Sequence, residues 1–130
     1  MRLDSLKTKA EFDFIYKNAK KFFHKYFVLY VLRISHYHSQ PPKEKKILHT
    51  LQTHQVALHI GFSISRKIGK ANKRNLLRRR VKAIMYENRI KYEGLVCVFV
   101  AKEGVTCIDF ATLKKDLLFA LDKTQEIINS

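Results

Sequence analysis

Apolar and polar positions change period several times along this chain, and each change marks an element. Residues 5–19 set Leu6, Phe12, Ile15, Tyr16 and Ala19 along one helical face, with Ser5 as the expected N-cap. Residues 21–34, KFFHKYFVLYVLRI, are rich in aromatic and β-branched side chains and read as strand, folded into a hairpin near His24–Lys25. From 56 to 65, Val56, Leu58, Ile60, Phe62 and Ile64 fall on alternate positions, the period of a strand with one buried face. The period becomes helical again from Lys70, where Leu77, Val81, Ile84 and Met85 recur at i, i+4, i+7 and i+8. EGLVCVFVAKEG, 93–104, is a near-continuous apolar strand closed by turn residues. Last, 109–128 carries Phe110, Leu113, Leu117, Leu118 and Leu121 at helical spacing behind Asp109, a candidate cap.

This order, helix–strands–helix–strand–helix, predicts an α/β fold of the α+β two-layer type, with three helices on a small mixed sheet of about four strands. The strand–helix–strand unit from 56 to 101 allows its two strands to lie parallel, with the intervening helix as crossover. Residues 35–55 show no apolar period and contain Pro41-Pro42 and His36, His38, His49 and His54. They are expected as a polar insertion loop inside a single domain spanning 1–130. Those histidines lack the nearby Cys and the spacing of a closed zinc site, so no metal is expected on the protein. His59 alternates with Leu58 and Ile60 and is expected on the face opposite theirs, within reach of a bound partner.

Charge narrows the function. The chain has 26 Lys and Arg against 11 Asp and Glu, net +15, and a compact body so charged repels itself unless a polyanion supplies counter-charge. Membrane is the weaker partner, because no apolar run approaches the roughly 20 residues of a span. The start, MRLDSLKTKAEFDF, has an early Asp and no long apolar stretch and does not read as a signal peptide. Two cysteines make no disulfide framework. Cys97, inside a buried strand, reads as a structural thiol, and a reducing cytoplasm is the expected compartment.

From Arg66 to Lys82 there are nine Lys or Arg and no Asp or Glu. A merely solvated helix would interleave both signs, whereas Arg74 with Arg78, and Arg78 with Lys82, are like-charge pairs one turn apart. Arg78, Arg79 and Lys82, with Asn75, are expected to project away from the apolar face. Arg66, Lys67, Lys70, Lys73 and Arg74 extend the field through the preceding loop and first turn. The arginine-rich centre suits bidentate grips on phosphate. Carboxylates offer no matching chemistry: Glu11 and Asp13 lie two apart on a helix and do not face each other. With no P-loop and no Ser/His/Asp pattern, no catalytic residue is expected in this chain.

The stretch IGFSISRKIGKANKRNLLRRRVKAI, residues 60–84, resembles the signature of the bacterial ribonuclease P protein family. That family shows a strand ending in Ser and two basic residues, a Gly, then Arg-Asn-Arg and spaced Lys and Arg on a helix. Here these are Ser65-Arg66-Lys67, Gly69, Arg74-Asn75 and the later Arg78, Arg79 and Lys82. The likeness extends over nearly the whole chain. It implies a subunit that docks on a catalytic RNA and promotes endonucleolytic removal of the 5′ leader of precursor tRNA, with Mg²⁺ held by the RNA. It also implies a left-handed crossover, where the general rule gives right-handed. Phe12, Tyr16 and Tyr30 match aromatic positions that line the family's leader cleft, and Lys17 could track leader phosphates. Periodicity alone reads Phe12 and Tyr16 as core. Two other classes share part of the pattern. A general or ribosomal RNA-binding protein shares the charge, and a helix-turn-helix DNA module would need a short helix where this chain has a strand.

One departure stands inside the motif. The third residue of Arg-Asn-Arg is Leu76, and the position four later, usually apolar, is Arg80. Side chains one turn apart share a face and lean toward the helix N-terminus, so Arg80 is expected to serve the surface that Leu76 leaves without a cation.

Overall fold

The structure, a computed structural model, describes residues 3–34 and 58–129. The expected insertion loop, its four histidines and Val56 lie outside them. Five strands form one mixed sheet: β1 (Leu3–Ser5), β2 (Lys20–Phe23), β3 (Phe27–Arg33), β4 (Leu58–Ser63) and β5 (Leu95–Ala101), in the order β1-β4-β5-β3-β2. Among the described residues three α-helices accompany it: α1 (Lys9–Asn18), α2 (Ala71–Glu87) and α3 (Phe110–Asn129). β4 and β5 pair parallel and are joined through α2, while β3 runs antiparallel to both β5 and β2. The crossover and the hairpin are those the periodicity predicts. The additional strand, β1, pairs parallel with β4 over three residues, too few for any period to register.

Alternation along the strands sorts side chains onto two faces. Phe27, Leu29 and Val31 of β3, Leu58 and Ile60 of β4, and Leu95, Cys97 and Phe99 of β5 point one way. They meet Leu77, Val81, Ile84 and Met85 of α2 and Leu113, Leu117, Ala120 and Leu121 of α3 in the larger core. Each such fully buried aliphatic side chain contributes about 1.5–3 kcal/mol. On the other face Leu32, Val96 and Val98 pack with Leu6, Phe14 and Ile15, so α1 covers part of that face. β5 is central and buried on both sides, which explains its near-continuous apolar run. Burial pushes the Cys97 thiol pKa well up, leaving an inert core residue.

Ser5 is not the helix cap; it ends β1. Thr8 caps α1, its hydroxyl accepting from Glu11 N–H at 3.2 Å while Glu11 Oε1 accepts from Thr8 N–H at 2.8 Å. Glu11 is therefore a capping residue rather than a plain surface charge. Such a cap stabilises the helix by about 1 kcal/mol. Asp109 does cap α3, accepting from Thr112 N–H at 2.7 Å. That hydrogen bonding, with a smaller contribution from the Arg80 charge, holds its carboxyl below the usual range.

Candidate nucleic-acid interface

The strand register organises the α1 face into rungs. Leu32, Val96 and His59 form the first, level across β3, β5 and β4. His59 does lie opposite Leu58 and Ile60, but it is only 5% exposed, so the expected reach toward a bound partner is not available to it. Lys21, Tyr30, Val98 and Gly61 form the second rung, and Phe23, Val28, Val100 and Ser63 the third.

The capping box fixes where α1 begins, and so which residues it aims at the second rung. Phe14 and Ile15 are buried against the sheet, while Phe12 and Tyr16 are half-exposed at the helix edge. The Tyr16 ring meets Tyr30 edge-on at 4.9 Å between centroids, and Phe12 lies 6.2 Å from Tyr16. Both spacings lie in the favourable range for aromatic pairs. The Lys21 ammonium stands 5.6 Å from the Tyr30 ring centre, within cation–π reach. A β-carbon on Gly61 would come within 2.8 Å of Leu6 and of the Phe12 ring, so only glycine lets α1 approach this closely. The structure thus brings Phe12, Tyr16 and Tyr30 together. It adds Lys21 and Gly61, which sequence reasoning did not single out. Lys17 is exposed on the same short helix.

β4 runs from the first rung to the third and continues into the basic segment. One 3₁₀ turn, Arg66–Ile68, follows Ser65, and α2 then begins beyond Lys70. Arg66, Lys67, Lys70, Lys73, Asn75, Arg79 and Lys82 are exposed. Arg74 is half-buried, and its Nε donates to Gly69 O at 3.1 Å, clamping the turn onto the helix. Arg78 donates to Asn75 Oδ1 at 2.9 Å, and Lys82 lies 6.0 Å from the Phe62 ring. Among the described residues no carboxylate forms an ion-pair contact with any cation from Arg66 to Lys82. Their field is left for an external anion.

The other flank of α2 differs. Lys73, Leu76 and Arg80 line a groove of about 160 Å³ with Val105, Thr106 and Ile108. Leu76 and Arg80 do share a face, as one-turn spacing requires. Arg80 also acts on Asp109, at the start of α3. Elsewhere among the described residues no three His, Cys, Asp or Glu side chains gather as a metal site would require, and no helix is long and apolar enough to cross a membrane.

Half-exposed aromatic rings beside a turn and helix whose cations make no ion-pair contact among the described residues suit a subunit that binds RNA, and comparison with known proteins decides the family. The sequence profile of the family described as Ribonuclease P matches residues 1–125. The chain belongs to the ribonuclease P protein family. It is similar to the ribonuclease P protein component of Helicobacter hepaticus, 51% identical over 94% of this chain and 84% of that one. Its fold is similar to that of the Staphylococcus aureus RNase P protein, at TM-score 0.67 and 17% identity over 95% of this chain and 94% of that one. The Thermotoga maritima RNase P protein is similar at TM-score 0.64 and 24% identity, over 92% of this chain and 96% of that one. The chain is thus a protein subunit of ribonuclease P, an endoribonuclease of tRNA 5′ processing, and its partners are the ribonuclease P RNA and precursor tRNA.

Proposed function

We propose that this subunit divides its two RNA partners between two surfaces. The catalytic RNA docks on the exposed cations of the 3₁₀ turn and α2: Arg66, Lys67, Lys70, Lys73, Arg79 and Lys82, with Arg78, Arg80 and Asn75 at the flanks. Arg74 acts chiefly by holding the turn. The 5′ leader of precursor tRNA lies in the cleft over Phe12, Tyr16 and Tyr30, with Lys17 and Lys21 beside its phosphates. One observation carries this reading: three aromatic rings stay half-exposed in a row, Phe12 to Tyr16 to Tyr30, with Lys21 over the last of them, on a sheet face that runs directly into the cationic turn. A core cluster would be closed over. Aromatic stacking accepts any base, at about 1–3 kcal/mol each, which suits leaders of varied sequence.

Phosphodiester cleavage belongs to the RNA and the Mg²⁺ it holds. The protein reduces repulsion between two polyanions and orients the leader. The whole chain acts as one domain, in the cytoplasm. Reconstitution with bacterial ribonuclease P RNA at low Mg²⁺ tests this directly, and absence of stimulation at every protein concentration would refute it. The Tyr16→Ala/Tyr30→Ala variant should weaken leader-bearing precursor far more than mature tRNA; equal losses would reject the cleft.

A further inference from the structure

The third rung of the α1 face extends past the aromatic cluster, and it ends in a largely exposed phenylalanine. Phe23 is 70% exposed on the edge strand β2. Its neighbour Phe22 faces the other way, where it meets Phe119 at 5.9 Å and joins the large core. Phe23 pairs with Val28 while Lys21 pairs with Tyr30, so Phe23 stands diagonal to Tyr30 on the same face. Diagonal neighbours lie roughly 7–8 Å apart, about the reach of one step along an extended single strand.

We infer that Phe23 is an additional stacking position for the leader, one nucleotide beyond Tyr30, so that the cleft continues across the sheet to its β2 edge. The inference rests on the leader-cleft reading above. Three further observations support it. The rest of the rung, Val28, Val100 and Ser63, is also only partly covered, which leaves an open apolar floor between Phe23 and the cleft. Lys21 shares the face of Phe23, Lys17 and Lys25 flank it along the chain, and residues 17–25 hold no Asp or Glu, so this edge favours an anionic occupant. A second copy of a chain at net +15 would be repelled. The platform is also rigid. His24, the next residue, stacks on Phe27 at 4.3 Å and meets Asp116 at 2.9 Å, and its carbonyl accepts from Lys102 Nζ at 3.0 Å. A sheet with exposed aromatic rings on adjacent strands is an established way to seat successive unstacked bases.

The test measures affinity of the reconstituted holoenzyme for precursor tRNAs with leaders of graded length. With the wild type, affinity should go on rising for one nucleotide beyond the length at which Phe23→Ala reaches its plateau. On long leaders Phe23→Ala should lose about five- to tenfold, the lower part of the range for one stacked base, and Phe23→Tyr should restore it. If Phe23→Ala matches the wild type at every length while Tyr30→Ala loses long leaders, the inference fails and the cleft reading stands. If Tyr30→Ala shows no leader dependence either, the cleft reading itself falls. Should sedimentation show self-association of the protein that Phe23→Ala abolishes, the edge is an interface between copies and the inference is overturned.

Discussion

Replacing Gly61 by alanine should impair leader binding while leaving the cationic helix intact. A β-carbon at this position would lie 2.8 Å from Leu6 Cδ1 and 2.8 Å from both Cε1 and Cζ of Phe12. Carbon contacts are comfortable at about 3.5–4.0 Å, so these neighbours must recede by about 0.7–1.2 Å. Leu6 is buried, and its N–H donates to Ile60 O at 3.0 Å, so it has little room. Phe12, half-exposed on the first turn of α1, is the side chain that can swing away. Overpacking of this kind costs about 1–3 kcal/mol, and a ring free to rotate outward puts Gly61→Ala at the low end. A fall in Tm of roughly 3–5 °C follows for a chain of this size. Loss of one stacking wall weakens leader binding by about 1–3 kcal/mol, or roughly 5- to 150-fold. The assay pairs thermal melting of the protein with holoenzyme affinity for leader-bearing precursor and for mature tRNA. The double variant Gly61→Ala/Phe12→Ala should regain stability and bind the leader no better than Phe12→Ala alone. A folded Gly61→Ala variant with wild-type preference for the leader would refute both the clash and the role of Phe12.

On the cationic surface, Arg79→Ala and Lys82→Ala should each flatten the slope of log K against log salt for the catalytic RNA by about 0.7–0.9, if each neutralises one phosphate. An unchanged slope would remove that residue from the interface. Arg80→Ala should do the same while Leu76→Ala changes mainly stability; if Arg80→Ala leaves the slope untouched, Arg80 serves Asp109 rather than RNA. The fold should also carry a pH signature. Burial alone would raise the Asp122 carboxyl, but hydrogen bonds from Tyr92, at 2.6 Å, and Lys91 hold it below its ordinary 3.8. A carboxyl depressed in the folded state stabilises the protein above its unfolded pKa, and that contribution fades as pH falls through the folded value. Wild type should therefore exceed Asp122→Asn by about 1 kcal/mol or less near neutrality, Asp122 being partly solvated. The two should converge as pH falls through that folded value, which lies below 3.8, and chemical denaturation near neutrality and in acid gives the comparison.

What the sequence made legible follows the range of the physics involved. Helical and strand periods are local, so the α2 face of Leu77, Val81, Ile84 and Met85 and the buried run of β5 could be read residue by residue. The start of α1 was also encoded locally: Thr8-Lys9-Ala10-Glu11 has the spacing of a capping box, a firmer signal than Ser5 alone. Register is not local. That Lys21 falls opposite Tyr30, and Phe23 diagonal to it, depends on how many residues the His24–Tyr26 turn consumes. That turn is set by contacts to Asp116 and Lys102, far along the chain. Gly61 could have been suspected, since a glycine inside an alternating strand marks a bulge or a close approach. Alternation gave the face of His59 correctly, but its burial depends on tertiary packing that no local period encodes.

The strand β4 would couple the two proposed surfaces. Gly61 and Ser63 belong to the cleft face, Phe62 turns to the other side beside Lys82, and the same chain reaches Arg66 three residues after β4 ends. The strand is held on both sides, by β1 and by β5, so it cannot flex independently of the sheet. Clamped by Arg74 onto Gly69, the cationic turn takes its position from that strand. If the catalytic RNA docks on the turn and α2 as proposed, that docking fixes the direction in which the rungs, and any leader lying on them, extend from the RNA surface. A substitution that loosens the clamp without removing an exposed cation, such as Arg74→Lys, should separate the two functions. Lysine keeps the charge, so the salt slope of RNA binding should be nearly preserved, while the advantage of leader-bearing precursor over mature tRNA shrinks. If docking and leader preference instead fell together in proportion, the turn would be acting only as a patch of charge, and the strand would not be transmitting orientation.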